Sequence, residues 1–344
     1  MPRSEEDVVT ERLRLTGVVA RLYHVHGVRQ REIGSRLGIS QARVSRLLHQ
    51  AEELGLVRTV VSVPVGLHPE LEEAVESLWG VCEVHVIDVA SDRSLATALG
   101  QASARQLGDS LAGAATVGFT SWSTTLQAMA SAMQEQPRTG VRHVVEMLGD
   151  LGSPTLQHAA ARSTQEMAAA VGGEPVFLRT PGVAASSALR DAAVHDVHVQ
   201  RALALLDGLD VAFVGVGPPE VDSQLHAGDN YFSLAQLAEV RLAGAVSQLN
   251  QRFLDASGRP LPTPLNDLVV GVSLSQLTAA RRRVVVAGGP EKLEPIAAAL
   301  RGGWIDVLVT DRGTATHLVS SPMTSRGLWS RNSSRSIQIR TVNK

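Results

Sequence analysis

The 344-residue chain has one cysteine, Cys82, which excludes an intramolecular disulfide or a thiolate metal cluster; Cys82 is expected to be core filler. Its 11 histidines show no HExxH or comparable ligand spacing, so no metal is expected, and His195 and His198 in HDVH are expected to be solvated. No apolar run approaches the ~20 residues that a bilayer span needs. The acidic start, MPRSEEDVVTERLRL, has no apolar leader core, so a cytoplasmic chain with no membrane partner is expected. Lysine is nearly absent, occurring only at Lys292 and Lys344, so any lysine in a pocket is easy to single out.

What is present points to two domains. With 344 residues, 44% of them hydrophobic, the chain can bury a core far larger than one small binding module needs. Its net charge of -2 is uneven, because residues 1–60 carry +3 and the remainder -5. A basic head on a mildly acidic body places any nucleic-acid contact in the head.

Residues 29–48, RQREIGSRLGISQARVSRLL, have helix-turn-helix spacing. Ile33 and Leu37 form one apolar stripe, and Val44, Leu47 and Leu48 form another. Gly38 ends the first helix, Ile39 fills the angle, and Ser40 caps the second helix. The leading turns then present Gln41, Ala42, Arg43, Ser45 and Arg46 to a major groove. Gln41 and Arg43 are expected on base edges, and Ser45, Arg46, Arg31 and Arg36 on phosphates. Val18, Val19, Leu22 and Tyr23 predict a supporting helix upstream, and the β-branched run after Gly55 predicts a short strand or wing. An ordinary helical hairpin with solvated arginines is the plainer alternative.

A connecting helix is expected around Leu71–Trp79. Beyond it, eight apolar runs alternate with alanine-rich helical stretches: 84–89, 115–120, 141–148, 174–180, 210–217, 267–274, 282–289 and 304–310. That alternation predicts a parallel sheet covered on both faces, with ligands beyond the carboxyl ends of its strands. In GFTSWSTTLQAM a strand gives way to a helix through Ser121, Ser123, Thr124 and Thr125; these read either as an anion-binding turn or as plain caps. In AGGPEK, Gly288 and Gly289 permit close backbone approach and bring Lys292 onto the next helix. Two such turns on one sheet favour a small phosphorylated or polyhydroxylated ligand.

From the reader to about Leu318 the chain resembles the SorC family of sugar-responsive bacterial transcriptional regulators. The resemblance rests on EIGSRLGISQARVSRLLHQAEELGLV, VGFTSWSTTL, VGVGPP, LAGAVSQLNQRFLDASGRPL and VVVAGGPEKLEPIAAALRGGWIDVLVTDRGTATHLV. It implies an N-terminal all-α helix-turn-helix followed by a C-terminal α/β, Rossmann-like effector domain resembling phosphosugar isomerases and deaminases. Double-stranded operator DNA and a sugar, polyol or sugar-phosphate effector are the implied partners, in a homo-oligomer, often a tetramer. By matching position it implicates Ser123, Thr124, Thr125, Gly288, Gly289 and Lys292, and adds Asp255 as an acidic residue near the effector. Three departures stand out: Gly34 where alanine is usual, Ser123 where glycine is usual, and Ser247–Gln248 where glycine–aspartate is common. The expected boundaries are a DNA-binding head at 1–62, a linker and connecting helix at 63–82, an effector and oligomerisation domain at 83–321 and a basic, disordered tail at 322–344.

Two rival functions follow from the same residues. The first is a sugar-phosphate isomerase or deaminase with an added DNA-binding arm, for which Asp150 and Asp255 are the candidate bases, although no paired acid and base stands out. The second, a constitutive architectural DNA-binding protein, accounts poorly for a large acidic domain. A non-enzymatic regulator without a cofactor is the favoured expectation.

Overall fold

The computed structural model describes residues 5–57, 66–89, 94–106, 111–133, 139–220 and 230–320, and divides into two units, Met1–Pro64 and Val65–Lys344. The expected wing, at 58–65, and the basic tail lie outside the described residues.

In the first unit α1 (Glu5–Ala20) runs into a π-helical turn at Arg21–Val25, and α2 (Gln30–Leu37) and α3 (Gln41–Glu53) follow. Val19, Ile33, Val44, Leu47 and Leu48 are buried together, so the two apolar stripes meet as their spacing requires. Gly38 caps α2 at φ 63°, a backbone conformation open to glycine at little cost. Gly34 lowers helix propensity but also makes room for the turn, since a Cβ there would lie 2.7 Å from the Ile39 carbonyl oxygen.

The second unit is built on a seven-stranded, wholly parallel sheet in the order β1-β10-β9-β5-β2-β3-β4. Its strands are β1 (Glu83–Ile87), β2 (Thr116–Phe119), β3 (His143–Glu146), β4 (Glu174–Val176), β5 (Val211–Val214), β9 (Arg282–Val286) and β10 (Val307–Asp311). The inner strands read as unbroken apolar runs because both faces are covered. Along β5, Val211 and Phe213 face one core, with α5 (Leu95–Gln106), α6 (Thr124–Ala132) and α7 (Pro154–Val171). Ala212 and Val214 face the other, with α4 (Pro69–Trp79), α12 (Leu293–Arg301) and α13 (Arg312–Ser320).

Three features depart from expectation. The run 210–217 breaks at Gly215: β5 stays in the parallel sheet, while β6 (Val216–Gly217) leaves it to pair antiparallel with β7 (Ala245–Leu249), and β7 pairs with β8 (Arg252–Asp255). Residues 267–274 form no sheet strand; a 3-10 turn at Pro264–Leu268 is followed by isolated bridges Val183↔Val269 and Leu148↔Gly271. Their apolar side chains still fill a core, which is why hydrophobicity alone misled. Cys82 is exposed rather than core filler, since it precedes the first residue of β1.

Candidate DNA-reading helix and effector crevice

Ser40 caps α3 through its side chain, which accepts from the Arg43 amide at 3.3 Å, and this sets the helix start at Gln41. With Val44, Leu47, Leu48 and Ala51 buried, the helical period puts Ala42, Arg46 and His49 along the middle of the outward face, and Ser45 between that line and Gln41. Gln41 and Arg43 lie on its two flanks, both exposed. Arg43 and Arg46 line a groove of about 870 Å³ with Arg12, Gln50 and the carboxylates Glu11 and Glu53, and Arg46 Nε reaches the Ala42 carbonyl at 3.4 Å. On α2 both Arg31 and Arg36 are exposed; Arg36 pairs with Glu32 one turn away.

In the second unit the chain winds one way through β2, β3 and β4 and the other way through β5, β9 and β10, so the switch point lies between β2 and β5. At such a point the loops beyond the carboxyl ends part and leave a crevice. Thr120, just after β2, links the two strands: Gly215 N donates to its Oγ1 at 3.1 Å, and that hydroxyl lies 2.9 Å from Phe213 O. Gly215 admits this approach, for a Cβ there would meet Thr120 Cγ2 at 3.0 Å.

The turn after β2 contains Ser121–Thr125. Ser123 caps α6, accepting from the Leu126 amide at 3.4 Å; Thr124 is exposed and Thr125 buried. Ser121 is 2% exposed, and its Oγ has no hydrogen-bond partner among the described residues. The glycine turn after β9 lies two strands away, with β5 between, roughly 10 Å along the sheet edge. Here Gly288 leaves room for Asp311 Oδ2, which a Cβ would meet at 2.2 Å. The Gly289 amide is engaged by Asp311 Oδ2 at 3.0 Å and Thr314 Oγ1 at 2.9 Å, so these glycines shape the turn internally. Lys292 closes the 3-10 turn Pro290–Lys292 at the start of α12, and burial pushes its ammonium down, with Glu291 acting against that shift.

Asp255 is not brought to this edge. Its Oδ1 accepts from Ser257 and Arg259 amides at 2.8 and 2.9 Å, and the turn it closes packs on the far end of α12, where Gly258 O accepts from Trp304 Nε1. Asp150 is paired with Arg179 at 3.0 Å, and burial raises its carboxyl despite that partner. The two aspartates that an enzyme reading would use are therefore separately engaged. The expected solvation of the HDVH pair holds: His195 and His198 are exposed, with Asp196 capping the helix Val197–Leu205. Among the described residues no cluster of metal-ligating side chains occurs.

Sequence reasoning missed Thr120, Asn250 and Gln251, and singled out Gln248 only as a departure from the family pattern. Asn250–Gln251 form the β7–β8 turn, and Thr120 Oγ1 lies 2.8 Å from Asn250 Oδ1. The sequence carried little signal of this turn, because AVSQL and RFLD do not alternate and Asn-Gln lacks the glycine that marks a two-residue hairpin.

The family model described as "Putative sugar-binding domain" matches residues 64–320, and the MarR family model matches residues 16–66. The chain is 30% identical over 312 residues to the deoxyribonucleoside regulator of Bacillus subtilis, covering 90% of this chain and 98% of that protein. It belongs to the SorC family. The sorbitol operon regulator of Klebsiella pneumoniae is 25% identical over 312 residues, covering 89% of this chain and 98% of that one. The crystal structure of that full-length regulator, SorC, superposes with a TM-score of 0.68 at 25% identity, covering 90% of this chain and 99% of that one. These SorC-family relatives are transcriptional regulators, not enzymes, and this chain is likewise a regulator, with a MarR-like helix-turn-helix and a mainly parallel α/β sugar-binding domain.

Proposed function

We propose that this regulator binds operator DNA through α3 and that a small sugar, polyol or sugar phosphate in the crevice between β2 and β5 controls the binding. Residues 1–62 form the DNA-binding head, 63–82 the connection and 83–321 the effector and oligomerisation domain, and the protein acts in the cytoplasm as a tetramer. On α3 the outward arginine, Arg46, takes the base-reading place that sequence assigned to Arg43, with Gln41, Ala42 and Ser45 beside it; Arg43, Arg31 and Arg36 contact phosphates. In the crevice the turn Ser121–Thr125 and Lys292 flank the ligand, with Lys292 facing its anionic or most polar end. Phosphosugar isomerases and deaminases offer an analogy for this placement; the separate engagement of Asp150 and Asp255 speaks for binding rather than turnover.

The observation that carries the effector site is the arrival of both predicted turns at one end of the sheet, either side of β5. Coupling between an effector and DNA is typically about 1 to 3 kcal/mol, a severalfold or larger change in operator occupancy. A mobility-shift titration of the chain's own promoter region with phosphorylated and free sugars and polyols tests it. At least one compound is expected to move the binding midpoint; an unmoved midpoint with all of them rules out effector control.

A further inference from the structure

The β7–β8 turn is made by Asn250 and Gln251 at φ 47° and 63°, the only left-handed non-glycine residues among those described. Asparagine tolerates that region, but a glutamine held there is strained. Gln251 is also only 6% exposed, and its Oε1 has no hydrogen-bond partner among the described residues. Glycine would make the same turn without the strain and without stranding a carbonyl. The Gln251 carbonyl contributes no hydrogen bond to the fold among the described residues.

Its neighbours share the second cost. Asn250 Nδ2, Ser247 Oγ and Ser121 Oγ are buried and unpartnered among the described residues, as is Gln248 Oε1, whose Nε2 is held by Pro218 O at 3.0 Å. Of thirteen such atoms among the described residues, four fall within residues 247–251, a local concentration of unmet hydrogen-bonding capacity. The register places the turn: Leu249 pairs with Val216, so Asn250 and Gln251 lie beside Gly215 and over the carboxyl ends of β2 and β5, with Gln248 on the face of β7 opposite the buried Ser247. These side chains are all amides and hydroxyls, with no charge among them. Such a set both donates and accepts, which suits the hydroxyl groups of a carbon chain.

We propose that Gln251, with Asn250, Gln248 and Ser121, binds the hydroxyl-bearing, uncharged part of the effector, and that Gln251 determines which polyol or sugar this chain accepts. The inference rests on the effector crevice proposed above and specifies which residues read the ligand's carbon chain.

Thermal-shift titrations of the full chain with glucitol 6-phosphate, fructose 6-phosphate, ribose 5-phosphate, glucitol and inorganic phosphate test it in the wild type, Gln251→Gly and Gln251→Ala. For the compound that stabilises the wild type most, both variants are expected to bind about tenfold more weakly, as for loss of a buried hydrogen bond. Free Gln251→Gly should melt above the wild type because the strain is gone, whereas Gln251→Ala, which keeps the strained backbone, should not. Affinity unchanged in both variants overturns this inference and leaves the effector crevice standing. Inorganic phosphate stabilising the wild type as much as any sugar phosphate also overturns it, since the carbon chain is then unread. A wild type that responds to none of the five overturns the crevice and this inference together.

Discussion

Arg43 and Arg46 differ by three positions, yet the helical period gives them different places. Arg46 lies on the middle of the outward face of α3 and Arg43 on its flank, because Val44 and Leu47 hold the inward face down. Arg46→Ala is expected to cost roughly 1 to 3 kcal/mol of specific affinity and to relax sequence preference, while Arg43→Ala weakens specific and nonspecific binding alike and lowers the salt slope by about 1. Fluorescence anisotropy on operator and scrambled duplexes across a salt series separates the two; the reverse pattern would return base reading to Arg43. At this scale the sequence was informative wherever a residue has one local task. Ser40 capping α3 and Gly38 ending α2 were legible because caps and left-handed turns depend on a few adjacent positions. Asp255 was not, since its carboxylate looks the same in sequence whether it faces a ligand or accepts two local amides.

Two carboxylates hold elements of the sheet to their neighbours. At the amino end, Asp306 receives the buried Arg283 at 2.8 and 2.9 Å and its amide at 2.9 Å, tying β9 to the start of β10 with the charges matched. At the carboxyl end of β3, Glu146 is 3% exposed and accepts from Leu178 N at 3.0 Å and Thr164 Oγ1 at 3.1 Å, joining the segment after β4 to α7. Burial raises the Glu146 carboxyl above its ordinary 4.5, and the Leu178 amide opposes that rise only in part. The folded state therefore holds the proton more tightly than the unfolded one. The resulting stability is fully present below about pH 4.5 and is lost as pH rises through the elevated folded value. Melting curves of wild type and Glu146→Gln between pH 4 and 8 should show the wild type losing ground to the variant as pH increases. A constant difference in Tm would mean that Glu146 does not titrate in this window.

For the whole molecule, the expected tetramer is open to direct measurement. Leu189, Val197, Leu234 and Leu242 of the second unit are 58%, 69%, 61% and 90% exposed and are available to contacts between subunits. Sedimentation equilibrium at micromolar concentration is expected to return a mass four times that of the 36.5 kDa chain, and a monomer would remove the oligomeric part of the proposal. The alternation of apolar runs determined a parallel α/β unit, and the stripes around Gly38 determined the reader, because both signals are periodic and local. Tertiary structure alone decided that 210–217 splits between two sheets, that 267–274 joins neither, and that Asn250 and Gln251 come to lie over β2 and β5. Those outcomes depend on strand order and antiparallel register, which bring together residues as far apart as Thr120 and Asn250, and short-range periodicity carries no record of such pairings.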